Sequence, residues 1–178
     1  MVSTPSNLSR KLDIFYNIAK LLDENGVEYQ LSGSLAGKFY GLAREPGDID
    51  IDMPLKYRPV IERLFCENIK RPFYRNECDF YDSEQIVCDI GGEKVEFVFM
   101  DNSFLLSHLT GLAMPAKQFW KPILIPFRDI KVSIQDITQL FGYKFHNLNQ
   151  EFAKNQVADA CELKEIFESG SWRDFRIE

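Results

Sequence analysis

Three aspartates alternate with two isoleucines in Asp48-Ile49-Asp50-Ile51-Asp52, and a Gly33-Ser34 pair stands upstream of them. In an extended strand, residues two apart point to one face. That spacing places Asp48, Asp50 and Asp52 on one face and Ile49 and Ile51 on the other. A row of like charges does nothing for packing, because neighbouring carboxylates repel by several kcal/mol unless something neutralises them. A divalent cation is the usual remedy, and a hard ion such as Mg2+ takes carboxylate oxygens together with substrate phosphates. The Gly33-Ser34 pair suits the same substrate. Glycine lets a phosphate approach the backbone closely, and free N–H groups at a helix start attract anions. The Ser34 hydroxyl suits a phosphate oxygen, or else the plain task of capping a helix. A third acid, Glu96, lies in Lys94-Val95-Glu96-Phe97-Val98-Phe99-Met100. Burying an unpaired carboxylate is costly. Glu96 therefore needs a partner, or else lies on an exposed strand face paired with Lys94 or another base. Asp89 is its rival, on a shorter and less apolar run.

The elements that hold these residues follow from hydrophobic period and breakers. Leu8, Leu12, Phe15, Ala19 and Leu22 form the stripe of an amphipathic helix, capped by Ser6 or Asn7 and stopped at Gly26. Residues 27–31 read as a strand, 35–42 as a short helix, 48–52 as the acidic strand and 57–69 as a second packing helix. Residues 72–75 read as a short extended piece, with 78–81 in that strand or the next. Residues 85–90 and 94–100 flank Gly91-Gly92 as a hairpin. Residues 104–109 read as a short helix carrying His108, a lone histidine taken as structural. Pro115, Pro122 and Pro126 make 119–127 a loop or an edge strand. The apolar side chains of that segment suit core packing first and an acceptor pocket second. A strand follows at 130–134, with Ser133 as cap of a helix reaching about residue 145. A last helix runs from 149 or 150 to about 169, with Phe152, Val157, Cys161, Leu163, Ile166 and Phe167 available for packing.

Taken together, Gly33-Ser34, a spacer, hydrophobic-Asp48-Ile49-Asp50 and a later hydrophobic-acid-hydrophobic strand resemble the nucleotidyltransferase superfamily related to DNA polymerase beta. More narrowly, the stretch is similar to small bacterial members: the lincosamide and aminoglycoside nucleotidyltransferases and the AbiEii-type toxins. Arg44-Glu45-Pro46-Gly47-Asp48 is similar to the family's Arg-x-Thr-x-Asp, with Pro46 where threonine is usual. The resemblance implies an α/β (α+β) nucleotidyltransferase fold, a small mixed sheet flanked by helices with a C-terminal helical part. Residues 1–130 are then the catalytic core, and 131–178 a helical part packed on it. It also implies that Asp48, Asp50 and Glu96 hold two Mg2+ ions, with Mn2+ as a substitute, and that Glu96 is also a candidate general base. Gly33, Ser34 and Lys144 are implied as nucleotide-binding residues. Asp50 and Asp52 have the same spacing as Asp48 and Asp50, and the turn residue Gly47 favours the earlier pair. Lys144 and the stretch Lys154 to Asp159 match the family's tail loosely, and Lys154 and Asp159 are read as solvated helix charges.

The reaction implied is transfer of a nucleoside monophosphate from a nucleoside triphosphate such as ATP to a hydroxyl acceptor, with release of pyrophosphate. A small hydroxylated molecule such as an antibiotic is the favoured acceptor. A protein or tRNA acceptor fits an AbiEii-like toxin, and a nucleotide-binding module without turnover is a third reading. A metal-dependent phosphohydrolase needs no Gly33-Ser34, and the histidines common in such sites are missing. Composition agrees: 178 residues with 45% hydrophobic and 13% aromatic residues suit one well-packed domain. A net charge of −6 argues against non-specific binding to nucleic acid, which is driven by Lys and Arg. Cys66, Cys78, Cys88 and Cys161 have no paired spacing, and with two histidines they predict no zinc site. Unpaired thiols and the absence of a signal-like or bilayer-length apolar run lead to the expectation of a cytoplasmic protein with no membrane partner.

Overall fold

A computed structural model describes residues 7–78, 81–107, 111–146 and 153–177, with the backbone alone at 153–156. Ser6, His108, Phe152, the Lys154 side chain and the expected start of the last helix at 149–150 lie outside the described residues. Helix α1 spans Asn7–Glu24 and buries Leu12, Phe15, Ala19 and Leu22, with Leu8 half-buried at its start. It stops as the glycine requires. Gly26 has φ +65°, the Val27 N–H donates to the Leu22 carbonyl and the Gly26 N–H to the Asp23 carbonyl, each at 3.0 Å. No helix among the described residues is long and apolar enough to cross a membrane.

Among the described residues, eight strands form one mixed sheet: β1 Gln30–Ser32, β2 Ile49–Met53, β3 Ile69–Glu77, β4 Tyr81–Ile90, β5 Glu93–Leu106, β6 Ala113–Pro115, β7 Pro122–Phe127 and β8 Ile130–Gln135. Their order is β3-β4-β5-β2-β1-β8-β7, with β6 paired to β5. The β2–β5 and β1–β8 pairs are parallel and the rest antiparallel. The other α-helices among the described residues are α2 Gly33–Lys38, α3 Arg58–Leu64, α4 Ile137–His146 and α5 Ala153–Ser169. This is the mixed sheet with flanking and C-terminal helices that the motifs imply. One core joins the α1 stripe and Ile61 to Ile49, Ile51, Val95 and Phe97 of the central strands. Full burial of each large side chain there contributes about 1.5–3 kcal/mol.

Four local expectations are corrected. The short helix expected at 104–109 is strand where described, because β5 continues to Leu106. Phe104 has strand partners on both sides, Asp82 of β4 and Pro115 of β6. The helix expected at 57–69 ends at Leu64, and Ile69 opens β3 opposite Cys88. Ser133 is not a cap: β8 runs on to Gln135, which pairs with Pro122, and Asp136 accepts the Thr138 N–H at 2.9 Å to start α4. Helix α5 buries a narrower stripe than its apolar content offers. Ala160 and Leu163 are buried and Ile166 half-buried, whereas Val157, Cys161 and Phe167 face outward. Residues 122–127 form the edge strand β7, where prolines are tolerated.

Candidate active site

Strands β2 and β5 lie side by side in parallel, with Asp50 opposite Glu96, Ile49 opposite Val95 and Ile51 opposite Phe97. The apolar partners point into the core. The acids leave by the other face. Asp48, Asp50 and Glu96 each offer a carboxylate oxygen, and these oxygens all lie within 4.8 Å of one another. The ladder thus brings together the three acids expected from the sequence. Three hard oxygen donors at this separation fit a divalent cation. The proximity has an electrostatic cost. Desolvation holds the Asp50 carboxyl well above the usual carboxylate range, and the charges of Asp48, Glu96 and Asp52 add to it.

Gly33 closes the site from the other side. It has φ +65°, and a Cβ built on it would stand 1.9 Å from Asp50 Oδ2. Both its left-handed backbone and its missing side chain are therefore required. Ser34 is buried in the first turn of α2, and the cap position belongs to Ser32, so Ser34 does not serve as the helix cap. The Ser32 hydroxyl instead donates to Asp52 Oδ1, and Gln30 Nε2 donates to Asp52 Oδ2, each at 3.0 Å. Burial pushes the Asp52 carboxyl up to about 6, against the lowering effect of these two bonds. Asp52 shares the face of Asp50 but not the three-oxygen group. Asp89 lies apart, accepting the Gly92 N–H at 2.9 Å in the β4–β5 turn.

Three cations surround the acids. Lys94 Nζ is 2.7 Å from Glu96 Oε1 and 3.4 Å from Asp48 Oδ2. Glu96 thus belongs to the acid cluster and to a Lys94 pair at once. Lys144 is 3% exposed and pairs with Asp159 Oδ2 at 3.2 Å rather than with the three acids. Burial lowers its pKa, partly countered by Asp159. Asp159 is 1% exposed, which corrects its reading as a solvated charge. It also accepts two bonds from Arg44, from Nε at 2.7 Å and Nη2 at 2.6 Å. This fork pins the turn leading into Asp48 onto α5, and Lys144 of α4 joins the same carboxylate. One hint of it was legible, since Arg44 lies within the family-like lead-in to Asp48.

A cavity of about 100 Å³ opens beside the acids, with Asp50, Asp52 and Glu96 at its wall. Ser83, Gln85 and Ser103 supply polar lining from β4 and β5, and Phe119 and Tyr143 supply rings. Of the segment 119–127, Phe119 lines this cavity, whereas Ile123 and Ile125 pack against the core. The lining from β4 was not legible, because Ser83 lies outside the strand expected at 85–90 and Gln85 is only its first residue.

No family model matches the sequence, and no curated protein matches it. Solved structures do match. A Thermotoga maritima protein, TM1012, provisionally assigned as a nucleotidyltransferase, is 19% identical with TM-score 0.66, over 90% of this chain and 94% of that one. The lincosamide antibiotic adenylyltransferase LnuA, solved with lincomycin, is 17% identical with TM-score 0.55, over 86% and 96%. ANT(2'')-Ia, solved with adenylyl-2''-tobramycin, is 13% identical with TM-score 0.55, over 93% and 98%. The fold is that of the nucleotidyltransferases.

Proposed function

We propose that this chain is a metal-dependent nucleotidyltransferase that moves a nucleoside monophosphate from a nucleoside triphosphate to a hydroxyl acceptor. The observation that carries the reading is the convergence of Asp48, Asp50 and Glu96 from two paired strands. Asp48, Asp50 and Glu96 are the metal ligands, and Gly33 with Ser34 receives the triphosphate at the turn beside Asp50. These three carboxylates would hold two Mg2+ or Mn2+ ions, whose charge would offset that of the phosphates and favour ionisation of the acceptor hydroxyl. Glu96 takes the proton of that hydroxyl. The acceptor oxygen bonds to the α-phosphorus, the bond to the β-phosphate oxygen breaks, and pyrophosphate leaves. Lys144 contributes positive potential, since its charge lowers the pKa of Asp50 across the site. Residues 1–130 form the core of this enzyme, joined by β8, and the helices within 131–178 pack on it and supply Lys144 and Asp159.

The acceptor is a small hydroxylated molecule held in the cavity beside Glu96, and the setting is the cytoplasm. The narrow cavity and the antibiotic complexes of LnuA and ANT(2'')-Ia support this choice over a polymer. The test is incubation of the purified chain with each nucleoside triphosphate, Mg2+ and a panel of hydroxylated small molecules. Pyrophosphate released only when an acceptor is present supports transfer. Orthophosphate release marks a hydrolase instead, and binding without release of either marks a nucleotide-binding module.

A further inference from the structure

Lys94 stands within the row of acids. It precedes Glu96 by two residues on β5, so both side chains leave the same face of the sheet. Its ammonium lies 2.7 Å from Glu96 Oε1 and 3.4 Å from Asp48 Oδ2. Those are two of the three groups whose oxygens converge. Arg44 and Lys144 are both engaged by Asp159. Among the described residues, Lys94 is thus the one cation in ion-pair contact with the cluster. We propose that Lys94 is a built-in counter-cation: its ammonium balances Asp48 and Glu96 while no metal is bound, and a divalent cation takes these carboxylates by displacing it.

The inference rests on the reading of Asp48, Asp50 and Glu96 as metal ligands, and adds what occupies them beforehand. An ammonium is monovalent and reaches a carboxylate through its N–H donors. A divalent ion bonds the oxygens directly with twice the charge, so it outcompetes the lysine where both cannot fit. The Lys94 side chain is 52% exposed on a flexible four-carbon stem. Water reaches it, so release is easy, and pairs of this kind are weak. The repulsion between Asp48 and Glu96 is offset in the metal-free protein, and metal affinity is held below what three free acids would give.

The test is Mn2+ binding to the full chain without nucleotide, by isothermal titration calorimetry, for wild type, K94M, K94R and D50N. K94M is expected to bind Mn2+ about tenfold more tightly and to melt below wild type in EDTA. K94R, which keeps the charge, stays at or below wild-type affinity. If K94M does not fold without metal, K94Q keeps a donor for Glu96 and carries the same expectation. Wild-type or weaker Mn2+ affinity in the neutral variant overturns the inference. Where wild type binds Mn2+ and D50N does not, that result leaves the metal site standing and removes the role of Lys94 alone. If wild type and D50N alike bind no Mn2+, both readings fall.

Discussion

Replacing Gly33 with alanine adds one methyl group and separates strain from site geometry. The backbone there has φ +65°, where any residue with a Cβ costs about 1–2 kcal/mol. For a chain of this size that lowers the melting temperature by about 2–8 °C. The second effect is local. The new Cβ would stand 1.9 Å from Asp50 Oδ2, against a closest real approach of 3.0 Å, so the carboxylate retreats by at least 3.0 − 1.9 = 1.1 Å. A displacement of about 1 Å in a positioned group costs about 100-fold in rate, roughly 2.7 kcal/mol of barrier. Gly33→Ala is therefore expected to fold, to lose about 100-fold in acceptor-dependent pyrophosphate release, and to bind Mn2+ more weakly. Gly26→Ala is the control. Gly26 has the same φ of +65° with nothing within 4 Å of a built Cβ, so it carries the strain without the collision. It should lose a similar amount of stability and keep its turnover. Full turnover in Gly33→Ala, or an equal loss of turnover in Gly26→Ala, would refute the assignment of Gly33 to the site.

Asp50→Asn removes a charge that burial and three neighbouring carboxylates disfavour. In EDTA it should raise the melting temperature by about 2–4 °C while abolishing pyrophosphate release. Because the folded pKa is raised, the penalty appears only above the ordinary value of 3.8, so the gain measured at about pH 7 exceeds that at about pH 4. Asp159→Ala strands Lys144, 3% exposed, and half-exposed Arg44 without their shared partner. Denaturant unfolding should show a loss of about 3 kcal/mol. Burial pushes the Cys88 thiol up to about 12, whereas Cys66, Cys78 and Cys161 are exposed. A thiol reagent at about pH 8 should react quickly with three cysteines and reach the fourth only on unfolding.

The parts of this molecule legible in the sequence are those governed by short periods. The alternation at 48–52 fixes which side chains share a face, and the apolar run at 94–100 makes Glu96 the only acid of its strand interior. Their adjacency was expected from the family resemblance, and the register of β2 against β5 realises it. What escaped reading depends on distant partners. Phe104 reads as helical until its pairing with β6 is known, and Ser133 reads as a cap until β7 extends β8 past it. Asp159 reads as one more charge on a polar helix. Nothing local distinguishes it from Glu162 or Lys164, because its partners Arg44 and Lys144 lie elsewhere in the chain.

Local rules break where this chain does its proposed work, and the breaks support one another. A strand that puts like charges on one face is unstable by itself, and Gly33 brings backbone against the most strained of them, Asp50. The opposite face offsets this: Ile49, Ile51, Val95 and Phe97 are fully buried, at about 1.5–3 kcal/mol each. The same pleat that exposes the acids thus seats the core, so the two cannot be separated by slipping the register. A one-residue slip of β2 would carry three aspartates into the core and both isoleucines into the site. The acid cluster therefore has one available register, and its geometry is as firm as the core beneath it.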